Sequence, residues 1–330
     1  MDWDEIKNLI EKSRNVKAST VKSYIGNLKK LFNETSDEKE IDEKDPTKWI
    51  DVDKILDFLD SKSPHTIRNF LNTLIVYIEL FDDEGSDKLN ELKDLHADYR
   101  HQIEKAYSSG EKTEKQQANW TTMTELKKIP RKLKRELDER EAFQKTTLNR
   151  SDMNLLQKWT IANLIVGDTQ EHPPTRLENY SEMRVIDKEK YDNLSKKEKE
   201  KYNWLVNTNK QKKSFIFNVY KTSDKYGEVV IPLSKHMNSM MNIWLKYNNK
   251  DNDYLLSNYR NNQKMSSNSL GKLISEIFKI KGKEVSLNLI RSIFVSETFP
   301  KEASQKQKDV AKKMGQSVSV QNEVYAKNED

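Results

Sequence analysis

The sequence NLIRSIFVS occupies residues 288–296, and MGQS occupies residues 314–317, ahead of a tyrosine, Tyr325. The first stretch has the spacing of a helix with an apolar face, and one arginine, Arg291, interrupts that face. A guanidinium that is drawn into a core needs an anionic partner. A tyrosine near an arginine-held phosphate can attack phosphorus with its phenol oxygen and form a covalent ester. The two stretches therefore predict phosphoryl-transfer chemistry.

Length and composition restrict the class of protein. The 330 residues are enough for two domains, and hydrophobic and charged residues make up 35% and 34% of the chain. This balance predicts small helical cores with wide solvated faces. Because 58 basic residues are offset by 53 acidic ones, the net charge of +5 does not by itself indicate a nucleic-acid partner. A nucleic-acid partner can be inferred only from clusters of basic residues along the chain.

Several kinds of site are disfavoured by the residues that the sequence contains. It has no cysteine, which excludes a disulfide framework and thiol chemistry. Its five histidines are dispersed without the spacing of metal ligands. No apolar run approaches the roughly twenty residues of a membrane span, and the N-terminus has no apolar signal region. We therefore expect an intracellular protein that needs no metal and no cofactor and has no membrane partner.

The hydrophobic pattern predicts an α+β fold, mainly α-helical with a small antiparallel β-sheet, in two domains. Residues 1–107 have helical periodicity throughout, most clearly in a helix that begins near Ser19 and buries Leu28. Residues 108–119 are polar, contain a Ser-Ser-Gly breaker and predict a linker. Residues 120–330 form the second predicted domain.

Two basic residues of the second domain have a distinctive local context. Arg176 follows an apolar helix and a turn with two prolines, which places it at the start of a helix. Lys221 follows residues 215–219, which alternate as a strand does, and residues 228–233 have the pattern of the returning strand. The pattern places Lys221 at the end of one strand of a hairpin.

These elements, in this order, resemble the tyrosine recombinases, the family of the phage lambda integrase. That family has an arginine after an apolar helix, a Lys-Thr pair on a hairpin, then His-x-x-Arg, Leu-Gly-His-Ser and a tyrosine nine residues after that histidine. The matching positions here are Arg176, Lys221, Asn288, Arg291, Gln316 and Tyr325. The first domain also resembles the family's helical core-binding domain, through Ser-Thr-Val-Lys at residues 19–22 and His-Thr-Ile-Arg at residues 65–68.

The resemblance implies a site-specific DNA recombinase or integrase that cleaves and rejoins double-stranded DNA without metal or ATP. Tyr325 would attack a phosphodiester in line and form a 3′-phosphotyrosyl intermediate. Arg176 and Arg291 would hold the equatorial phosphate oxygens, and Lys221 would protonate the departing 5′-oxygen as a general acid. The family also implies a homotetramer on two DNA sites. The polar, Asn- and Lys-rich composition would suit an AT-rich mobile or viral genome.

At three positions the residue differs from the family pattern. Asn288 replaces a histidine or lysine, Gln316 replaces a histidine or tryptophan, and Asn179 replaces an acid. Asn288 and Gln316 can donate hydrogen bonds to a phosphate, but neither transfers a proton near neutral pH. Loss of a general base typically slows a reaction by about 10²–10⁴-fold, so we expect slow cleavage. His172, close to Arg176 in the sequence, is a candidate replacement for the base.

Basic and hydroxyl side chains in both domains are candidates for DNA contact. Lysines on one helix and positively polarised helix starts suit phosphate groups, whereas a solvated helix face is the plainer interpretation. The basic cluster at residues 127–135 has three interpretations: a solvated helix, a nuclear-import signal or a contact with the DNA backbone. The candidate DNA-binding residues are Lys22, Lys29, Lys30, Thr66, Arg68 and Lys132.

The sequence leaves several alternatives open. A type IB topoisomerase shares the chemistry but relaxes supercoils as a monomer, and a DNA-binding protein of the same fold without catalysis would also fit. Location in the nucleus or the cytoplasm, the need for an accessory protein, and cleavage in cis or in trans are also open. Because residues 326–330 are all that follows Tyr325, we expect no exchanged C-terminal helix.

Overall fold

The computed structural model describes residues 1–82, 85–248, 253–258, 263–299 and 305–325. The chain divides into two compact units, Met1–Ser109 and Gly110–Asp330. Residues 326–330, for which no exchanged helix is expected, lie outside the described residues.

The regular secondary structure in the described part of the first unit is entirely helical. Its helices are α1 (Trp3–Ser13), α2 (Ala18–Thr35), α3 (Val52–Leu59), α4 (Pro64–Ile78) and α5 (Asp87–Ser109). Their apolar faces meet in one core, in which Leu28, Ile55 and Leu74 are fully buried. The helices that the hydrophobic periodicity predicts in this part of the chain are therefore present.

The second unit combines helices with small β-sheets, which confirms the predicted α+β class. Its helices are α6 (Glu114–Asn119), α7 (Met123–Leu126), α8 (Lys128–Glu139), α9 (Arg150–Val166), α10 (Glu178–Ser181), α11 (Lys188–Asp192), α12 (Lys196–Glu200), α13 (Ser223–Tyr226), α14 (Lys235–Tyr247), α15 (Ser267–Ile277), α16 (Leu287–Thr298), α17 (Gln305–Lys313) and α18 (Val318–Val320). A 3₁₀ turn lies at Ala142–Gln144, and a π-helical turn lies at Gln321–Tyr325. The strands are β1 (Arg184–Asp187), β2 (Trp204–Asn209), β3 (Lys212–Phe217), β4 (Val229–Pro232), β5 (Ser257–Asn258), β6 (Gln263–Lys264), β7 (Lys279–Ile280) and β8 (Lys283–Glu284).

The main sheet has the order β1-β2-β3-β4, and one of its pairings differs from the predicted antiparallel arrangement. β3 is antiparallel to both of its neighbours, but β1 and β2 are parallel. A parallel pair requires a crossover connection, and α11 and α12 provide it. The predicted antiparallel sheet is therefore correct for β2, β3 and β4 but not for β1. The charges of residues 186–202 alternate in sign, which is typical of a solvated insertion. In fact Tyr191 of this segment is buried and packs against Trp204, with ring centroids 6.0 Å apart.

The hairpin of β3 and β4 precedes the site, but Lys221 does not lie at the end of a strand as predicted. β3 ends at Phe217. The side-chain oxygen of Asn203 accepts hydrogen bonds from the backbone N–H groups of Asn218 and Val219, each at 2.8 Å. These two N–H groups therefore do not bond to a neighbouring strand. Lys221 lies exposed in the loop that follows.

The core of the second unit is built around α9. This helix is the predicted apolar helix, and most of its residues, including Leu156 and Ile161, are buried. It packs against α8, α14 and α15, and α16 supplies Ile290 and Ile293 to the same core. Among the helices of the described residues, none is both long and apolar enough to cross a membrane.

Candidate active site

Helix α16 carries Arg291 into the core of the second unit. The helix begins after Ser286, whose hydroxyl accepts the Leu289 N–H at 3.3 Å. Ile290 and Ile293 are completely buried, and Arg291 between them is only 1% exposed. A buried guanidinium is tolerated only where other groups satisfy its charge and its N–H donors.

Two of the predicted residues bind Arg291 directly. Its Nη1 donates a hydrogen bond to the hydroxyl of Tyr325 at 2.6 Å, and its Nη2 donates to the side-chain oxygen of Gln316. The guanidinium also lies over the tyrosine ring, 4.3 Å from the ring centroid. The structure therefore brings together Arg291, Gln316 and Tyr325, which lie up to 34 residues apart in the sequence.

A second guanidinium, that of Arg176, lies close enough to act on Arg291 electrostatically. Burial, assisted by the positive charge of Arg176, lowers the pKa of Arg291 to about 10, and Tyr325 and Glu178 oppose this shift. Arg291 is thus still cationic at neutral pH. Within the described residues, Nη1 of Arg176 and Nε of Arg291 are buried without a hydrogen-bond partner. Since a buried unsatisfied donor costs about 1–3 kcal/mol, an anion that accepted both would stabilise the site.

Tyr325 is held by the helix that carries Arg291. It ends a π-helical turn, a rare geometry that occurs often at functional sites. The hydroxyl of Ser296 on α16 donates to the backbone carbonyl of Tyr325 at 3.4 Å, and the tyrosine side chain is 8% exposed. The phenol oxygen is therefore fixed beside the guanidinium of its own chain.

The loop that carries Lys221 rests on the turn that carries Gln316. The hydroxyl of Thr222 donates to the carbonyl of Gly315 at 2.9 Å, and Tyr220 packs against the same glycine. Lys221 lies between these two contacts, and its side chain is exposed. The pattern of the sequence singled out Lys221 but missed Tyr220 and Thr222. The signal that could have found them is their position on either side of a loop lysine.

Gly315 allows the Gln316 turn to adopt its conformation. Its φ is +66°, and an added Cβ would lie 3.1 Å from a ring carbon of Tyr220. We expect Gly315→Ala to lower the free energy of unfolding by more than Gly282→Ala, the matched control with φ +82° and open space around the Cβ position. Left-handed strain of roughly 1–2 kcal/mol is common to both variants, so urea unfolding measures the additional crowding. Equal losses of stability would contradict the packing of Tyr220 on the turn.

Asn288 is not part of the contacts around Arg291. It is exposed on α16, and its side chain makes no hydrogen bond to the described residues. Gln316 uses its oxygen for Arg291, and its amide nitrogen lies 4.0 Å from the sulfur of Met314. Asn179 is buried, and its side-chain oxygen has no partner among the described residues. Of these three amides only Gln316 binds Arg291, and an amide cannot act as a base toward Tyr325.

His172 does not act as the replacement base. Its Nε2 accepts a hydrogen bond from the backbone N–H of Ser234 at 3.1 Å, and the side chain is 4% exposed. Burial lowers the pKa of His172, and the positive charge of Lys313 lowers it further, whereas Asp168 raises it. The imidazole is therefore a neutral acceptor that joins the loop before α10 to the start of α14.

The lowered pKa of His172 predicts a loss of stability in acid. The unfolded chain binds the proton more readily, so stability is complete above the unfolded pKa of about 6.5 and falls as the pH drops through the folded pKa. We expect His172→Gln, which retains an acceptor, to show a smaller difference in unfolding free energy between about pH 7.5 and about pH 5. Urea titrations at both values measure this. An unchanged pH dependence would show that other groups cause the acid sensitivity.

The candidate DNA-binding residues lie on α2 and α4 of the first unit and on α8 of the second unit. Lys22 is exposed on α2. Lys29 and Lys30 lie over the rings of Trp3 and Phe58, at 5.9 and 5.8 Å from the ring centroids. The other candidate residues are placed as follows: Thr66 in the first turn of α4, Arg68 beside His65 and His96, and Lys132 exposed on α8.

The basic cluster on α8 is less positive than its sequence indicates. Lys134 pairs with Asp138 at 2.7 Å, and Arg135 pairs with Glu139 at 3.9 Å, each one turn away on the helix. Such exposed pairs add little stability but they cancel charge. The geometry therefore favours the solvated-helix interpretation for part of this cluster. In the part of the chain that the structure describes, no cluster of three acidic or histidine side chains could hold a metal ion.

Comparisons with known proteins add little to this geometry. No protein family model matches the chain, and no curated protein sequence is similar to it. Among solved structures, a crystal structure of XerA recombinase is similar at 13% sequence identity and a TM-score of 0.31, over 100% of this chain and 95% of that chain. Because a TM-score of 0.31 is too low to support a functional inference, the function is inferred from the residues of the site.

Proposed function

We propose that this protein is a site-specific DNA recombinase or integrase that cleaves and rejoins double-stranded DNA through Tyr325. The observation that supports this most is the hydrogen bond between Arg291 and the hydroxyl of Tyr325, beside the second guanidinium of Arg176. A nucleophile and two cations, with two unsatisfied N–H donors, suit a phosphodiester. The resemblance of the sequence to the tyrosine recombinases supports the same conclusion.

The proposed reaction replaces one phosphorus–oxygen bond by another. The phenol oxygen of Tyr325 forms a bond to phosphorus, and the bond between phosphorus and the 5′-oxygen breaks. Arg176 and Arg291 stabilise the additional charge on the equatorial oxygens. The phenol proton goes to water, and the Lys221 ammonium supplies a proton to the departing 5′-oxygen. A 5′-hydroxyl can later attack the phosphotyrosyl ester, which reverses these steps and reseals the strand.

We propose cleavage in cis by a homotetramer. The nucleophile and the arginine that binds it belong to one chain, and Ser296 ties the tyrosine segment to the arginine helix. Exchange between two duplexes breaks four strands, and each protomer can form one covalent link. Four copies on two DNA sites therefore balance the number of bonds that are broken.

A nicked suicide substrate tests the proposal. Duplexes selected for binding from a randomised library would carry a nick close to the cleavage site, so that the short fragment with the free 5′-hydroxyl diffuses away and the covalent intermediate accumulates. We expect a protein–DNA adduct on a denaturing gel, linked through a 3′-phosphate, with the DNA-bearing peptide containing Tyr325. An adduct on another residue, or free 5′-phosphate ends, would contradict the proposed chemistry.

A second candidate function is DNA binding without catalysis. The exposed side chain of Asn288 and the commitment of Gln316 to Arg291 favour it, because neither amide can take the phenol proton. Specific binding with no adduct on the same nicked duplexes would support this second function over the first. Relaxation of supercoiled plasmid by monomers, without recombinant products, would instead indicate a topoisomerase.

A further inference from the structure

Asn203, the residue before β2, uses both its donors and its acceptor inside the second unit. Its side chain is buried, with an exposed fraction of 4%. Its oxygen accepts hydrogen bonds from the backbone N–H groups of Asn218 and Val219, each at 2.8 Å. Its amide nitrogen donates to the backbone carbonyls of Glu178 and Asn179, each at 3.3 Å, and of Val219 at 2.9 Å. One buried side chain thus joins two segments that are distant in the sequence.

The two segments that Asn203 joins each lead to a residue of the proposed site. The carbonyls of α10 to which it donates lie two and three residues after Arg176. The N–H groups that it accepts lie three and two residues before Lys221. Arg176 and Lys221 are therefore tied to one amide through only a few backbone units each.

The position of the Lys221 ammonium depends on the backbone of its loop. The side chain is exposed and forms no hydrogen bond or ion pair with the described residues. Lysine also has a long, flexible stem, so the side chain does not fix its own charge in space. On one side of Lys221, the hydroxyl of Thr222 donates to the carbonyl of Gly315 at 2.9 Å. On the other side, Asn203 holds the loop.

The side chain of Asn218 strengthens the attachment at the start of this loop. Its Nδ2 donates to the carbonyl of Lys199 at 2.8 Å and to that of Tyr202 at 3.1 Å. These carbonyls belong to α12 and to the residues between α12 and β2. Two amides therefore hold the start of the loop, and of these two only Asn203 also bonds to the segment after Arg176.

We infer that Asn203 is a positioning residue, which holds the loop of Lys221 at a fixed place relative to Arg176. This inference rests on the proposed function and extends it to the placement of the general acid. Alanine at this position would leave two N–H groups and three carbonyls without their partner. The loop could then shift relative to α10. Because a misplacement of about 1 Å can cost about 10²-fold in rate, the loss should fall on proton delivery by Lys221.

A substrate that needs no general acid separates this role from a general effect on folding. It is a nicked duplex in which sulfur replaces the bridging 5′-oxygen at the phosphate that the wild-type chain cleaves. The Tyr325 oxygen forms its bond to phosphorus, the phosphorus–sulfur bond breaks, and the phenol proton goes to water. Because a thiol has a pKa of about 8.5, sulfur departs as a thiolate without a proton from Lys221.

Single-turnover rates of adduct formation by the full chain are compared on the oxygen and sulfur substrates. We expect Asn203→Ala to lose about 10²-fold on the oxygen substrate and to stay close to the wild type on the sulfur substrate. Lys221→Ala should show the same pattern, with a loss of about 10²–10⁴-fold on oxygen. Because one preparation cuts both substrates, the fraction of folded protein cancels in the ratio of the two rates.

Two further variants complete the comparison. Asn203→Asp keeps an acceptor for the two N–H groups but, when ionised, has no donor for the carbonyls. It carries the test if Asn203→Ala does not fold, and it should lose a smaller factor on the oxygen substrate alone. Asn238→Ala is the matched control, because Asn238 is also buried and donates to two carbonyls, those of Leu233 and Ser234 between β4 and α14. Its ratio of rates should equal that of the wild type.

The outcomes separate this inference from the proposed function. If the wild type forms the adduct and the Asn203 variants lose the same factor on both substrates, or lose nothing on either, Asn203 does not position the acid. The inference is then overturned, and the proposed function stands. If the wild type forms an adduct with neither substrate, the proposed function fails and the inference fails with it. A loss confined to the oxygen substrate supports both.

Discussion

Tyr325→Phe is expected to abolish covalent attachment of the protein to DNA. The change removes the phenol oxygen, which lies 2.6 Å from Nη1 of Arg291, and keeps the ring that lies over the guanidinium. Without the oxygen no phosphotyrosyl bond can form, whereas the surface that binds DNA is unaltered. Denaturing gels with nicked duplex measure the adduct, and gel-shift titrations measure the affinity.

Tyr99→Phe is the matched control, because Tyr99 is a partly buried tyrosine of the first unit. It should form the adduct at the wild-type rate. An adduct that persists in Tyr325→Phe would mean that another residue is the nucleophile. Mixing Tyr325→Phe with an Arg291 variant adds a test of cis cleavage: the mixture should stay inactive, and restored adduct formation would show that the tyrosine serves a partner's arginine.

Arg291→Lys is expected to slow adduct formation by about 10²–10³-fold, the effect of losing one donor to a developing negative charge. Lysine keeps the positive charge, but its ammonium is a point donor without the planar fork of arginine. It cannot bind Gln316 and Tyr325 as the guanidinium does and offer a third N–H to phosphate. Single-turnover cleavage at saturating DNA isolates this loss from any loss of affinity.

Arg131→Lys provides the control for the same chemical change on the exposed face of α8. We expect it to leave the single-turnover rate unchanged. A rate for Arg291→Lys within a factor of two or so of the wild type would show that the charge alone matters, contrary to the paired hydrogen bonds in the structure. A far-ultraviolet circular dichroism spectrum and an unfolding curve show whether the variant is folded.

Local rules predict that Arg291 and Tyr325 belong to one site, whereas the place of Gln316 in it came only from the resemblance to the tyrosine recombinases. A helix with one arginine on an apolar face must bring that arginine to a polar partner, and a glycine turn followed by a short valine-rich segment returns the chain toward it. The helices of the first unit were predictable for a similar reason. Their apolar residues recur at helical spacing, and little else competes with that signal.

The errors come from interactions between residues distant in the sequence. The strand before Lys221 ends at Phe217, because the side chain of Asn203 accepts hydrogen bonds from the backbone N–H groups of the next two residues. No pattern near residue 221 indicates this. β1 lies parallel to β2 because short charged helices connect them, although alternating charge is typical of a solvated loop. The contact of Asn27 on α2 with Thr73 on α4 likewise arises from the pairing of two helices, which periodicity within either helix does not show.

The contacts of Tyr220 and Thr222 with Gly315 have a mechanical consequence. They couple the segment of Lys221 to the segment of Gln316, and Gln316 is bound to Arg291. In the proposed reaction, proton delivery by Lys221 and charge stabilisation by Arg291 would therefore depend on the same contacts. A displacement of the loop that carries Lys221 would disturb both proposed roles together.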